Sequence, residues 1–146
     1  MRHDCDIAIA GGGLNGPALA LAAARLGLRV IVLDATSRKL RKNAKFDGRA
    51  YALALASKRL MAAVGVWENV AQDAEPMLNI RVSDGHAGVG ASPFFMDFDH
   101  AELEEGPMGY MVEDRHLRYA LQAAMQTSPL IEYRLATRVT GQSTGP

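Results

Sequence analysis

The feature that most limits how this chain can fold is a run of glycines, Gly11-Gly12-Gly13-Leu14-Asn15-Gly16, set between two apolar stretches. Before it, Asp6-Ile-Ala-Ile-Ala10 is a short apolar run ending in glycine, the pattern of a strand buried on both faces of a parallel sheet. After it, Leu14 to Leu26 keep helical spacing, with Leu19, Ala23 and Leu26 expected on one face and Gly27 ending the helix. Arg29-Val-Ile-Val-Leu33 then reads as a second buried strand. Strand, helix and strand within about 30 residues make a βαβ unit, whose crossover is almost always right-handed.

A bare G-x-G-x-x-G is a weak signal, because glycine-rich turns are common, but a strand before it and a helix after it sharpen it. In such a turn Gly11 permits the tight bend, Gly13 lets a pyrophosphate approach the backbone, and Gly16 lets helix and strand pack closely. Leu14 and Asn15 complete the phosphate-facing turn, although Asn15 and Pro17 are less usual there. The helix N-terminus offers unpaired N–H groups and roughly half a positive charge, so an anion needs no basic side chain. Asp34 ends the second strand, eighteen residues after Gly16. A carboxylate there accepts hydrogen bonds from both ribose hydroxyls of an adenosine and repels a 2′-phosphate, favouring the ADP part of FAD or NAD over NADP. The competing reading is a plain glycine-rich βα turn with Asp34 as a solvated strand-end residue.

Beyond the βαβ unit, residues 36–47 form a polar loop with Arg38, Lys39, Arg41, Lys42 and Lys45. This basic run could touch phosphate or an anionic membrane, but a solvated loop is the preferred reading. Ser57 is expected to cap a helix through Val64 that Gly65 stops. Leu78 to Asp84 alternates as a half-buried strand. Turns at Gly85, Gly88, Gly90 and Pro93 precede Phe94, Met96 and Phe98, a stripe read as core in preference to a substrate surface. An acidic stretch follows at Asp97, Asp99, Glu102, Glu104 and Glu105. Gly109 to Val112 is expected as strand. Asp114 should cap a helix to about Gln126, with Leu117, Leu121 and Met125 aligned along it, before a strand over Ile131 to Val139.

Two later segments carry a family resemblance. Phe46-Asp-Gly-Arg-Ala-Tyr-Ala-Leu53, then Ala56-Ser57 and a helix to Gly65-Val-Trp67, resembles the flavin aromatic hydroxylases of ubiquinone biosynthesis, typified by 2-polyprenyl-6-methoxyphenol hydroxylase. Gly109-Tyr-Met-Val-Glu-Asp-Arg115-His-Leu-Arg118 is similar to that group's strand-to-helix segment ending in an arginine. With the glycine turn, these motifs follow family order and are specific for class A flavoprotein monooxygenases. The resemblance implies that Gly11, Gly13 and Gly16 hold the FAD pyrophosphate and Asp34, in place of a more usual glutamate, holds the adenosine ribose. It also implies Arg49 near the FAD phosphates or the flavin edge, and Arg115 against the cofactor. Both roles suit arginine, whose fork binds two phosphate oxygens. The plainer alternatives are an Arg49–Asp47 surface ion pair and an Arg115 paired with a nearby acid. The implied activity is NAD(P)H- and O2-dependent hydroxylation of a small aromatic or polyprenyl phenol, with no catalytic acid or base to nominate.

Other classes find little support. Sixteen Lys and Arg balance sixteen Asp and Glu, which argues against a nucleic-acid binder held by phosphate neutralisation. One cysteine, Cys5, cannot form a disulfide framework or a cysteine-rich zinc site, and is read as a small packed residue in a reducing compartment. The four histidines, His3, His86, His100 and His116, lack metal-ligand spacing. Ile7 to Leu28 is apolar, but its glycines, Pro17 and the preceding Asp4 and Asp6 argue against a signal peptide or a membrane span.

The expected architecture is α/β: a Rossmann-like βαβ unit with a parallel sheet, plus the first strands of a mixed or antiparallel substrate sheet. Residues 1–75 are assigned to the FAD-binding unit and its following helix, 76–112 to the substrate sheet, and 113–146 to a return into the FAD-binding domain. The resemblance implies a later Gly-Asp segment that is not found after Gln126, so an incomplete, N-terminal part of a family member is expected, inactive alone and prone to self-association. The expected location is cytoplasmic, with peripheral inner-membrane or biosynthetic-complex association carried alongside. The alternatives are another class A hydroxylase, a prenyl reductase, or a non-catalytic dinucleotide-binding module.

Overall fold

The computed structural model describes residues 4–37, 45–86, 88–102 and 106–145. Three strands, β1 (Ile7–Ala10), β2 (Val30–Leu33) and β8 (Ile131–Arg134), form a parallel sheet in the order β1-β2-β8. Ile7 stands opposite Val30, and Val30 opposite Ile131, so β2 has a partner on each side. Its valines are accordingly the most buried residues of the sheet, with Val30 and Val32 at 1% exposure or less. The β-branched run that marks β2 in the sequence thus occupies the one position in this sheet flanked on both edges.

Helix α1 (Asn15–Arg25) links β1 to β2. It buries Pro17, Ala20, Leu21 and Ala23, whereas Leu19 is 54% and Leu26 is 82% exposed. The expected Leu19–Ala23–Leu26 face is therefore corrected. Close helix–sheet contact selects small alanines for the inner face, while Leu26 has already left the helix as its C-cap. Pro17 lies in the first turn, where a missing N–H breaks no intrahelical bond.

A second sheet, antiparallel and ordered β3-β7-β4, is built from β3 (Ala50–Ala54), β7 (Gly109–Glu113) and β4 (Ala74–Met77). Strand β3 runs straight into α2 (Leu55–Ala63), whose N-cap is Ala54. Ser57 is thus an interior helix residue and not the expected cap. Gly65, at φ +74°, ends α2 as anticipated. Helix α3 (Asp114–Thr127) has Glu113 as its N-cap and not Asp114, which is buried in the first turn. Leu117, Leu121 and Met125 are all 3% exposed or less, so the expected stripe is core and joins α1, α2 and β2 in one cluster. Trp67 packs edge-on against Tyr110 of β7 at 4.9 Å between ring centres.

The third sheet is a hairpin of β5 (Asn79–His86) and β6 (Gly90–Asp99), with an irregularity between Ser83 and Gly85. Gly85 and Pro93 lie within its strands and not in turns. Its apolar residues differ most from expectation. Phe94 is 84%, Met96 60% and Phe98 44% exposed, and across the ladder Ile80 and Val82 are 38% and 50% exposed. Among the described residues this stripe is surface, not core. The expected final strand is also shorter: after Arg134 the chain turns through Ala136, at φ +52°. Arg38, Lys39, Arg41 and Lys42 of the basic run, and Glu104 and Glu105 of the acidic stretch, lie outside the described residues. Among the described residues, no helix is long and apolar enough to cross a membrane.

Candidate functional site

The glycine turn occupies the carboxyl end of β1. Gly11 adopts φ +121°, a conformation that a side chain would strain, and its N–H donates to the Leu33 carbonyl at the end of β2. Gly16 is needed for a different reason: a Cβ there would stand 1.9 Å from the Gly11 carbonyl oxygen. Gly13 meets nothing within 4 Å, leaving its backbone open on the outer side. Helix α1 starts without a side-chain cap and without an acidic residue in its first turn. Its first N–H groups are therefore left for an external partner.

This turn forms one wall of a cleft of about 850 Å³ lined by Gly11, Gly13, Leu14, Asn15 and Gly16. The opposite wall comes from Tyr51, Ala52 and Leu53 of β3, Ser57 and Leu60 of α2, and Leu117, Arg118 and Leu121 of α3. A second cleft, of about 640 Å³, lies between the C-terminal half of α1 and α3 and includes Asp73 and His116. His116 of the first turn of α3 and Gly65 lie at its wall, but the glycine-rich turn of residues 11–16 does not line it.

Asp34 approaches the turn at Gly12. Its carboxylate accepts hydrogen bonds from the Tyr133 hydroxyl at 2.8 Å and the Thr36 N–H at 3.0 Å. Its backbone is held from β8, since its N–H donates to the Arg134 carbonyl and its carbonyl accepts from the Thr137 N–H, both at 2.8 Å. Burial first, and then the hydrogen bond to Asp34, push the Tyr133 phenol well above its ordinary value, with Arg118 and Gln122 pulling the other way.

The arginines are arranged differently from the sequence reading. Arg118 lines the cleft and Arg115 does not. Arg115 donates to Glu113 at 2.5 Å, the acid pairing that stood as its plainer alternative. Arg118 donates through Nε to both Asp114 oxygens, at 2.7 and 2.9 Å, and that bond raises its pKa above the ordinary arginine value. Arg49, just before β3, bonds Asp47 at 2.6 Å and also reaches Asp114 at 3.2 Å. The hydrogen bond from Arg49 holds Asp47 below the usual carboxylate range, and Arg49 itself is raised. Buried Asp114 thus anchors two cations from different elements beside the cleft.

Gly11, Gly13, Leu14, Asn15 and Gly16 come together at one wall. Asp34 does not line the cleft and stands against the turn at Gly12. Arg49 also stands outside it, with Asp114, and Arg115 stands apart. Sequence reasoning missed Arg118 and Tyr133. The spacing of Asp114 and Arg118, four residues apart on one helix, was an available signal for the first. Tyr133 alternates with exposed neighbours on its strand, but nothing local tied it to Asp34.

The residues present fit a dinucleotide. The uncapped helix start and the open Gly13 backbone suit a pyrophosphate, and the Asp34 carboxylate suits a ribose. Comparison with known proteins points the same way. The family model described as "FAD binding domain" matches residues 4–144. Over 135 residues, 92% of this chain, the sequence is 40% identical to ubiquinone hydroxylase UbiL of Rhodospirillum rubrum, of which it covers 30%. It is 33% identical to the 3-demethoxyubiquinol 3-hydroxylase of Escherichia coli over 132 residues, covering 89% of this chain and 32% of that protein. The chain thus spans about a third of the length of these curated relatives. Among solved structures, p-nitrophenol 4-monooxygenase PnpA from Pseudomonas putida shares the fold, with a TM-score of 0.71 at 18% identity over 95% of this chain and 33% of that one.

Proposed function

The chain belongs to the FAD binding domain family, and from that membership we propose that it is the FAD-binding part of a flavin monooxygenase that hydroxylates an aromatic ring. The proposed substrate is a polyprenyl phenol of ubiquinone biosynthesis, with NAD(P)H as reductant and O2 as co-substrate. The observation that carries the reading is the pairing of an uncapped, glycine-cleared helix start with a carboxylate at the next strand end. The 40% identity to a ubiquinone hydroxylase supports the substrate class.

In this reading Gly11, Gly13, Leu14, Asn15 and Gly16 receive the pyrophosphate through backbone N–H groups, and Asp34 accepts the ribose hydroxyls. Arg118, anchored by Asp114, adds positive charge to the opposite wall of the cleft, with Arg49 contributing from its flank. Arg115 has the weakest case, since it faces Glu113. Bound FAD would supply the redox chemistry and oxygen activation, which the protein's own side chains cannot. The chain's part is to bind, orient and exclude water at the apolar wall formed by Leu14, Leu53, Leu60 and Leu117. The segment division follows from the same proposal: residues 1–75 and 113–146 build the FAD-binding unit, and 76–112 begin the substrate sheet.

The test is a titration of the purified chain with FAD and, separately, with NAD, followed by flavin fluorescence and calorimetry. FAD binding that is lost on replacing Gly13 with a bulky residue is the expected result. NAD binding without FAD binding would overturn the proposal in favour of a non-catalytic dinucleotide-binding module.

A further inference from the structure

The middle residue of a G-x-G turn needs no special conformation, yet here it is glycine. The space around it explains why. A Cβ on Gly12 would stand 2.2 Å from Asp34 Oδ2 and 2.7 Å from the Tyr133 hydroxyl oxygen. The volume a side chain would take is filled by the Asp34–Tyr133 pair, whose own hydrogen bond is 2.8 Å long. Three segments from distant parts of the sequence therefore meet at one point: the glycine turn, the end of β2, and the middle of β8.

We propose that Tyr133 is a positioning residue for nucleotide recognition, holding the Asp34 carboxylate in the orientation that receives a vicinal diol. The proposal rests on Asp34 being the ribose acceptor. An ionised carboxylate has about four lone-pair sites. Tyr133 occupies one on Oδ2 and the Thr36 N–H one on Oδ1. One remains on each oxygen, which matches the two hydroxyls of an adenosine ribose. The backbone of Asp34 is clamped by β8 and the turn after it, so rotation of the side chain is the freedom left for Tyr133 to remove. Gly12 leaves room for that arrangement.

The experiment titrates the full chain with FAD, read by flavin fluorescence, and runs competition with ADP and with 2′-deoxy-ADP. Wild type is compared with D34A, Y133F, the double variant and G12A, and circular dichroism checks that each is folded. Y133F should weaken FAD and ADP binding roughly three- to tenfold, less than the full worth of a hydrogen bond to a charged group, because the carboxylate stays in place and loses only its fixed orientation. It should weaken 2′-deoxy-ADP less, and it should add nothing in the D34A background. G12A, which reaches the pair from the turn, should reproduce the loss without touching β8. If Y133F binds like wild type while D34A is weakened, Tyr133 has no positioning role. An equal loss from Y133F with and without Asp34 makes Tyr133 merely structural. If D34A itself binds FAD and ADP like wild type, the ribose assignment fails, and the inference falls with it.

Discussion

Gly16→Ala separates two jobs that one glycine motif performs. Judged by helix propensity alone, alanine at a helical position should stabilise, by about 1 kcal/mol. The packing says otherwise. The new Cβ would sit 1.9 Å from the Gly11 carbonyl oxygen, where contacts under 3.0 Å are essentially never seen, and 3.4 Å from the Ile9 side chain. The obstacle is backbone, so relief requires the β1–α1 turn to open. Overpacking of this kind costs typically 1–3 kcal/mol; against backbone the upper end of about 3 applies, and with propensity recovering about 1 a net loss of about 2 kcal/mol is expected. For a chain of this size that lowers the Tm by about 5–10 °C. Gly13→Ala is the contrast, because its Cβ meets nothing within 4 Å. It should melt within about 2 °C of wild type, as a surface substitution does, while weakening FAD binding, since the methyl group would occupy the approach proposed for the pyrophosphate. Differential scanning fluorimetry without ligand, then FAD titration, reads both effects. A Gly16→Ala variant as stable as wild type would refute the packing argument, and a Gly13→Ala variant that is equally destabilised would refute the division of labour.

Three further outcomes can be measured. Arg118→Ala should weaken FAD binding about tenfold, as loss of a charge-assisted contact does, and Arg115→Ala should change it less than about twofold; calorimetry on both decides between the two arginines. Tyr133 ionises above the ordinary phenol value of 10.0, so its contribution to stability is complete below pH 10 and is lost as the pH rises past it, where the unfolded chain gives up the proton first. Thermal melts on either side of pH 10 should therefore show a decline that is shallower in Y133F. Phe94→Ser should leave stability within about 0.5 kcal/mol of wild type, since the ring is 84% exposed; a large loss in urea unfolding would return Phe94 to the core.

What the sequence made legible was whatever depends on near neighbours. The β1–α1–β2 unit, the termination of α2 at Gly65 and the Leu117–Leu121–Met125 stripe follow from apolar periodicity and from glycine's backbone freedom. Misreadings arose where a distant partner decides. Ser57 has the chemistry of an N-cap, but β3 enters α2 directly and leaves it no capping position. Leu19 and Leu26 are as apolar as Leu21, yet only contact with the sheet distinguishes the inner face. The Phe94–Met96–Phe98 stripe alternates as a core strand would, and exposure is not encoded in alternation. In the candidate site, the glycine turn was readable because its conformational requirement lies in the backbone. Tyr133 was not, because its partner Asp34 lies 99 positions away; for Arg118 the i, i+4 pairing with Asp114 was legible, but its place on the cleft wall was not.

The hydrogen bond between Asp34 and Tyr133 spans 99 positions, and this has a consequence for the order in which the molecule is made. Strand β2 receives its second neighbour, and Asp34 its phenol, only when β8 is available. At synthesis rates of about 5–20 residues per second, the early half of the nucleotide site waits on the order of 5–20 s for its late half. Over that interval Val30 and Val32 lie on an open strand edge, the period of greatest exposure to mispairing with another chain. Parallel pairing between such distant segments is intrinsically slow, since the loop must close before any contact rewards it. In the proposed reading FAD binds the finished arrangement and stabilises it by mass action, and does not template the first strands.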